Sequence, residues 1–251
     1  MKKSLFVSLV LLSGVLMTAC GNKSEENLEE AQTCSLWETE CETVVDTENS
    51  EIAENTTENQ TDIDYLILVN KQNKLPEDRE SKVELVEVQN AYDETIRVEK
   101  EALEKYNELR DALLEEWIDI ELDSSYRSVE KQQQVWDDFE KEKWLEYAQK
   151  YVAVPWYSEH HTALAIDICI KKDGVLIYEN EDMIAEPEIF AKIHEKLADY
   201  GFILRYLEWK EDITWYSYEP RHLRYVGDVN VAKEIMDNGL TLEEYLNKVE
   251  K

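Results

Sequence analysis

The stretch from Leu164 to Tyr178 constrains the fold of this chain more than any other. Leu164–Ile170 alternates as a β-strand, with leucine and isoleucine on one face, and Lys172-Asp173-Gly174 is a turn signal. Val175–Tyr178 supplies a second apolar strand, so the two strands form a β-hairpin. Because a hairpin pairs its strands antiparallel, this stretch favours an α+β fold over a doubly wound parallel sheet.

Helical and strand patterns alternate through the rest of the sequence from residue 63 onward. Apolar residues recur at helical spacing between Glu94 and Glu116, and Ser128 suits the N-cap of a helix that begins near Val129. Further helices are predicted at Pro187–Tyr200, stopped by Gly201, and at Ala232–Leu246, and further strands at Ile118–Leu122, Phe202–Leu204 and Leu223–Val226. These patterns predict a small, mainly antiparallel sheet with flanking helices, in one domain spanning residues 63–251.

The N-terminus, residues 1–20, has the three parts of a signal sequence. Two lysines precede an apolar run from Leu5 to Met17, and small residues stand just before Cys20. The run is short for a membrane-spanning helix, and an uncleaved anchor helix is the alternative. Cys20 directly after Thr-Ala resembles a bacterial lipobox. The resemblance implies that Cys20 is lipidated and anchors the protein on the extracytoplasmic side of a bacterial membrane.

An acidic segment separates the signal sequence from the folded domain. Residues 21–62 contain thirteen Asp or Glu against the single Lys23, and few large apolar residues. Such a segment cannot bury enough surface to offset its chain entropy, so we predict a disordered linker. Cys34 and Cys41 lie within it, and the sequence leaves open whether they pair in an oxidising compartment. The formal net charge of −30 argues against a nucleic-acid partner, because no basic stripe is present to neutralise phosphates.

Two of the four histidines, His160 and His222, stand in segments rich in polar residues. Strand parity places Asp167 on the face opposite the isoleucines, where a buried carboxylate is costly unless it has a cation partner. Together these residues would make a three-ligand zinc site with a fourth position open to water, and Glu219 would accept a proton from that water. By spacing alone, the alternative is that both histidines are surface or core residues without a metal.

Three motifs, taken in order along the chain, resemble those of a known family. They are Ser124-Ser125-Tyr126-Arg127-Ser128 with Gln132, then Ser158-Glu159-His160 through Ala165-Ile166-Asp167, and finally Tyr216 to His222. The VanY-type D-alanyl-D-alanine carboxypeptidases of the hedgehog/DD-peptidase fold have Ser-Gly-Tyr-Arg-Ser-x3-Gln, Ser-x-His-x6-Asp and Glu-x-Trp-His. In addition, Leu68-Val69-Asn70-Lys71 resembles the strand that opens their domain.

The resemblance implies a zinc carboxypeptidase that removes a C-terminal D-alanine from peptidoglycan stem peptides. One Zn²⁺ would be held by the two histidines and Asp167, with Glu219 as the general base. Arg127 would hydrogen-bond the scissile carbonyl. Gln132, Ser158 and Tyr216 would contact the peptide and its terminal carboxylate. The choice between a D-Ala-D-Ala bond and an L,D bond stays open, since the same ligand set serves both, and a monomer is expected.

The sequence departs from the family at positions where glycine is expected. Ala163 and Ser125 are mild substitutions, but five such positions hold tryptophan, which cannot replace glycine at positive φ without strain: Trp117, Trp144, Trp156, Trp209 and Trp215. Conversely, Arg221 stands where the family has tryptophan. If these residues are genuine, Trp156 and Trp215 would narrow the cleft, and Arg221 would lower the basicity of Glu219.

One hypothesis accounts for most of these exchanges. The gene would use a variant code in which UGA specifies glycine and an arginine-type codon specifies tryptophan, so that the printed residues differ from the cellular ones. The codons test this hypothesis directly, since ordinary UGG codons at the five tryptophan positions would refute it.

Two other functions are compatible with the sequence. A catalytically weakened lipoprotein that binds wall peptides would keep the metal but turn over no stem peptide. A purely structural surface lipoprotein is disfavoured, because it leaves the buried Asp167 without a reason. Among the remaining residues, His161 and His194 are predicted to be structural and Cys169 to be a buried thiol.

Overall fold

The computed structural model describes residues 63–143 and 152–249 of the 251-residue chain. The predicted lipidation residue Cys20, the acidic linker, the Cys34 and Cys41 pair, and Trp144 all lie outside the described residues. Within the described ranges, no helix is long and apolar enough to cross a membrane.

Two antiparallel sheets make up the β-structure of the described domain. The smaller sheet is a hairpin of β1 (Leu85–Gln89) and β2 (Thr95–Glu99). The larger sheet contains, in spatial order, β3 (Asp119–Ser124), β4 (Ala165–Lys172), β7 (Glu219–Tyr225) and β6 (Phe202–Tyr206), and the short β5 (Val175–Ile177) pairs with β4. Every pairing in it is antiparallel.

Helices pack around the larger sheet. They are α1 (Lys100–Leu114), α2 (Val129–Lys143), α3 (Asn180–Ile184), α4 (Pro187–Leu197), α5 (Glu211–Thr214), α6 (Val229–Asp237) and α7 (Leu242–Val249). Short 3₁₀ turns occur at Arg79–Lys82, Glu159–Thr162 and Ala198–Tyr200. The prediction of an α+β fold with a small antiparallel sheet is confirmed, as is the hairpin of β4 and β5.

Strand β4 lies at the centre of the sheet and has two different faces. Ile166, Ile168 and Ile170 are fully or almost fully buried in the main apolar core, which also takes residues from α1 and α4. Asp167 alternates with these isoleucines and therefore projects from the opposite face, as strand parity predicts. The isoleucine face of β4 packs into the core and holds the strand in place, while Asp167 lies on the other face.

The C-terminal helical pattern contains a break that the apolar spacing does not predict. The predicted helix Ala232–Leu246 is two helices, α6 and α7, separated around Gly239, which has a φ of +58°. Thr241 and Glu244 form a capping box at the start of α7: the Glu244 amide donates to Thr241 Oγ1 at 3.1 Å, and the Thr241 amide donates to Glu244 Oε2 at 2.9 Å. This capping box begins a new helix at a point where the apolar spacing by itself predicts one continuous helix.

The N-terminal run Leu68-Val69-Asn70-Lys71 is not a strand, in contrast to the expectation from the family resemblance. The carbonyl groups of Tyr65 and Ile67, just before this run, accept hydrogen bonds of 2.8 and 2.9 Å from Nη2 of Arg224. A guanidinium therefore satisfies backbone acceptors that a neighbouring strand would otherwise have to satisfy.

Four of the five tryptophans that stand in place of glycine have left-handed backbone angles. The φ values are +64° at Trp117, +75° at Trp156, +65° at Trp209 and +63° at Trp215. Ala163, a milder substitution, has a φ of +66°. These angles meet the expectation that the turns require glycine-like backbone conformations, which a side chain with a Cβ adopts only with strain.

Replacing Trp117 by glycine is expected to stabilise the protein by about 1 kcal/mol, because glycine adopts positive φ without a Cβ clash. Trp117 is 95% exposed, so little packing is lost. The melting temperature followed by circular dichroism should rise by roughly 2–4 °C. Trp117→Ala is the matched control, since it removes the same ring but keeps a Cβ. Equal melting temperatures for the two variants would contradict this account.

Candidate metal centre

Two adjacent strands and one turn bring the predicted metal ligands together. Asp167 on β4 and His222 on β7 are direct cross-strand partners, so their side chains leave the same face of the sheet side by side. His160 lies on the 3₁₀ turn that leads into β4, and the left-handed Ala163 redirects the chain from that turn into the strand. All three side chains are buried.

The three ligand atoms surround one point. Nε2 of His160 is 3.4 Å from Oδ2 of Asp167, and Nδ1 of His222 is 3.0 Å from Oδ1 of the same carboxylate. One ligand atom from each residue lies within 4.8 Å of the others. Tetrahedral zinc with bonds of about 2.0–2.1 Å needs ligand atoms roughly 3.3 Å apart, so the spacing suits such an ion.

The opposite edge of each imidazole is already occupied. Nδ1 of His160 lies 2.8 Å from the carbonyl oxygen of Ser125, and Nε2 of His222 lies 2.9 Å from Oε2 of Glu159. Each ring therefore donates a proton to its outer partner and turns its second nitrogen toward Asp167. Outer hydrogen bonds of this kind fix the orientation of metal-binding histidines.

Asp167 provides the clearest indication that a metal fits. Oδ2 accepts a hydrogen bond of 2.9 Å from Ser124 Oγ. Oδ1 is buried and has no hydrogen-bond partner among the described residues, because its short contact with His222 is not a hydrogen bond. A buried carboxylate oxygen without a donor is costly unless a cation takes its lone pairs. The donor set of two imidazoles and one carboxylate is typical of zinc.

The ionisation of the three ligands reflects the same crowding. Burial opposes the charged form of Asp167, but His160 and Arg221 hold the pKa of this carboxyl well below its usual range. Burial lowers the pKa of His160 to about 3. Burial would also lower the pKa of His222, but the adjacent carboxylates of Asp167 and Glu159 raise it to about 9.

The residues predicted to serve catalysis line one pocket of about 320 Å³ around the three ligands. The pocket contains Arg127, Gln132, Ser158, Tyr216 and Glu219, together with His160, Asp167 and His222. Trp156 and Trp215 are not among its lining residues, so the expectation that they narrow the cleft was wrong. Trp156 instead lies under Lys74, with Nζ 4.6 Å from the ring centroid.

Glu219 lies in the same pocket, close to one of the three predicted ligands. Its Oε2 lies 3.9 Å from Nδ1 of His222, at the start of the strand that carries this ligand. Burial raises the pKa of Glu219, while the charges of His222 and Arg221 lower it and Asp167 raises it. The charge of Arg221 thus lowers the pKa of Glu219, as predicted. Burial outweighs this effect, so the pKa of Glu219 is above its usual value.

Arg127 is a half-buried cation that makes no ion pair within the described part of the chain. Nη1 donates to Oε1 of Gln132 at 3.0 Å, and Gln132 in turn donates to the carbonyl oxygen of Ala153 at 2.7 Å. Burial lowers the pKa of Arg127. Gln132 thus holds the guanidinium in the pocket without neutralising its charge.

Arg221 lies beside Asp167 and bridges it to Asp123. Nη2 is 3.2 Å from Oδ2 of Asp167, and Nη1 is 2.8 Å from Oδ2 of Asp123. The same Nη1 donates to the carbonyl oxygen of Tyr178 at 2.7 Å. A fixed positive charge therefore draws electron density from a ligand that a metal would share.

The two remaining histidines have structural hydrogen bonds. His161 contacts the carbonyl oxygen of Arg127 through Nδ1 at 2.6 Å and accepts from the Trp156 amide through Nε2 at 3.2 Å. His194 contacts the carbonyl oxygen of Pro220 through Nε2 at 2.9 Å. These contacts agree with the prediction that both histidines are structural.

Three buried charged residues lie behind the site and were not predicted from the sequence to belong to it: Glu159, Arg205 and Arg224. Glu159 contacts His222, and Arg205 and Arg224 contact Glu159. Arg205 stands in the otherwise apolar strand β6, whereas Arg224 lies between Leu223 and Tyr225 in β7, which carries other charged residues. A charged residue in an apolar strand was the signal that singled out Asp167, and the same signal would have found Arg205.

The family model for D-alanyl-D-alanine carboxypeptidase, VanY, matches residues 95–228, which is more than half of the chain. The chain belongs to the VanY family. Members of this family are D-alanyl-D-alanine carboxypeptidases, and this chain is an enzyme of that metallopeptidase class.

Individual relatives agree with this assignment. The predicted carboxypeptidase YodJ of Bacillus subtilis is 40% identical over 190 residues, which cover 74% of this chain and 68% of the relative. The structure of the LD-carboxypeptidase LdcB has 38% identity and a TM-score of 0.62, covering 73% of this chain and 86% of that one. The D,D-pentapeptidase VanY, solved with Zn(II), has 33% identity and a TM-score of 0.58, covering 73% and 99%.

Replacing Arg221 by glutamine is expected to tighten zinc binding by about tenfold, because glutamine can still donate a hydrogen bond to Asp167 but no longer places a positive charge beside the cation. The dissociation constant is measured by competition with a chromophoric chelator. Arg110→Gln is the matched control, since Arg110 pairs with Glu121 at 2.8 Å and does not line the metal pocket. Unchanged or weaker zinc binding by the Arg221 variant would show that its charge does not oppose the metal.

Proposed function

We propose that the protein is a zinc-dependent carboxypeptidase that removes a C-terminal D-alanine from peptidoglycan stem peptides. The observation that carries this proposal is the convergence of His160, Asp167 and His222 in one pocket with Glu219 and Arg127. The relatives reinforce it, because LdcB is described as an LD-carboxypeptidase that recognises peptidoglycan and VanY was solved with Zn(II).

A single zinc ion at this site would supply Lewis acidity and lower the pKa of a coordinated water. Glu219 is the general base, since its carboxylate faces the ligands at 3.9 Å from His222 and its burial keeps the proton affinity of the carboxylate high. Glu219 would then deliver the proton to the leaving amine of D-alanine.

Arg127 stabilises the negative charge that develops on the scissile carbonyl oxygen. The guanidinium is half-buried in the pocket wall, is fixed by Gln132, and has no carboxylate partner of its own among the described residues. A preorganised cation in a site that excludes water is worth more to a developing oxyanion than the same cation in solvent.

The remaining lining residues bind the peptide. The pKa of Tyr216 is raised, chiefly by burial and then by Glu219, so its hydroxyl stays protonated and can donate to a carboxylate. Ser158 is 4% exposed and lies in the same pocket. Together with Gln132, these groups would hold the terminal carboxylate of the substrate.

An adjoining groove of about 730 Å³ extends from the metal pocket and shares Tyr216, Glu219 and Arg221 with it. It is also lined by four glutamates, Glu179, Glu181, Glu208 and Glu211. This acidic lining suits a stem peptide that carries a free amino group. A peptide that lies in this groove could place either a D,D or an L,D bond beside the metal ligands.

The second candidate function is binding of wall peptides with weakened catalysis. Arg221 favours it, because this cation lies 3.2 Å from the metal ligand Asp167. For either function we propose the same location, on the extracytoplasmic side of a bacterial membrane, through lipidated Cys20. We also propose that the protein acts as a monomer.

Turnover of tetrapeptide and pentapeptide stems, followed as released D-alanine, tests the proposal. The protein is expected to cleave at least one stem and to lose this activity with a zinc chelator. Glu219→Gln should lower turnover by about 10²- to 10⁴-fold while zinc stays bound. Glu104→Gln, which removes an exposed carboxylate from α1, should leave turnover unchanged.

Different results separate the candidate functions. A protein that binds zinc and wall peptides but releases no D-alanine from either stem would support the binding lipoprotein. A Glu219→Gln variant as active as the original protein would remove Glu219 from the mechanism. Absence of zinc from the purified protein would overturn both functions.

A further inference from the structure

A chain of buried charges runs from the last helix to the metal centre. Glu243 on α7 receives two hydrogen bonds from Arg205, of 2.7 and 2.9 Å. Arg205 donates through Nε to Oε1 of Glu159 at 2.7 Å, and Glu159 contacts His222. The side chains of Arg205, Glu159 and His222 are at most 4% exposed, and that of Glu243 is 8% exposed.

The two oxygens of Glu159 have separate tasks. Oε1 accepts from Arg205 and also from Nη1 of Arg224 at 2.8 Å. Oε2 is left for Nε2 of His222, at 2.9 Å. Because two guanidinium groups hold one oxygen, the carboxylate cannot rotate freely, and the direction of the other oxygen is fixed toward the imidazole.

Stability alone is a weak reason for this arrangement. Each buried charge must be removed from water, and well-packed apolar residues of similar volume are often at least as stabilising as a buried ion pair. By contrast, a metal-binding imidazole needs a partner on its outer nitrogen that sets its tautomer and ring angle. Glu159 is the only described residue that contacts Nε2 of His222 by a hydrogen bond.

We propose that Glu159 is a positioning residue that presents Nδ1 of His222 to the metal, and that Arg205 and Glu243 connect this function to helix α7. The inference rests on the proposed zinc site. Asn70, whose Nδ2 donates to Glu243 Oε1 at 3.0 Å, adds the N-terminal end of the described domain to the same network. The segments that flank the sheet therefore set the geometry of a ligand on β7.

The test measures zinc affinity by chelator competition in the full-length protein. Glu159→Gln is expected to raise the zinc dissociation constant by about 10- to 100-fold. Glu243→Gln should raise the zinc dissociation constant by a smaller factor. In this variant Arg205 still donates to Glu159 but loses its ion pair with Glu243. Nitrogen NMR of the metal-free protein gives a second measure at a pH above 9, where the His222 ring of the unmodified protein is neutral. The Glu159 variant should no longer hold this ring in the tautomer protonated at Nε2.

Glu99→Gln is the matched control. Glu99 is also a buried carboxylate, 2% exposed, but it accepts from the amide of Ala102 at 2.8 Å and touches no member of the network. The control should lower thermal stability and leave zinc affinity unchanged. If Glu99→Gln and Glu159→Gln weaken zinc binding equally, the effect is general destabilisation and the proposal is overturned.

The remaining outcomes separate this inference from the proposed function. If the unmodified protein binds no zinc, the zinc enzyme fails, while the tautomer of His222 still tests the role of Glu159. If zinc binds and neither the affinity nor the tautomer changes in Glu159→Gln, only the positioning role fails. If Glu159→Gln does not fold, Glu243→Gln decides: an unchanged zinc dissociation constant in this variant overturns the proposal.

Discussion

The cross-strand pairing of Asp167 with His222 is the interaction on which the site depends. In an antiparallel sheet, direct partners project from the same face with their Cβ atoms about 5 Å apart, so the register of β4 and β7 determines whether the two ligands meet. A register shift of one residue would turn one ligand into the apolar core. The isoleucines on the other face of β4 prevent this shift, because they would lose their burial at the same time.

The sheet also concentrates charge in an unusually small volume. Two histidines, Asp167 and Glu159 are buried together, with the two arginines Arg205 and Arg224 behind them. Such a cluster is tolerable because opposite charges alternate and because nearly every polar atom has a partner. The exception at Oδ1 of Asp167 lies where a metal would complete the set. The catalytic pocket is thus the open end of a polar core built into one face of the sheet.

The sequence was sufficient to predict the central sheet, its hairpin and the position of Asp167, because strand periodicity and turn residues are local properties. The hairpin of β1 and β2 was missed, since Thr95–Glu99 is short, has only two large apolar residues and merges with the helical pattern that follows. The partners of Arg205 and Arg224 also escaped prediction. Glu159 lies 46 and 65 positions from them, and such long-range ion pairs depend on tertiary folding.

The origin of the three ligands has a consequence for local opening of the fold. His160 and Asp167 come from one continuous turn and strand, whereas His222 arrives from a different strand more than fifty residues later. A metal held by all three would cross-link β4 to β7, two strands that are far apart along the chain. Separation of these strands would then require release of the ion, so the holoprotein would open there far less often than the metal-free chain.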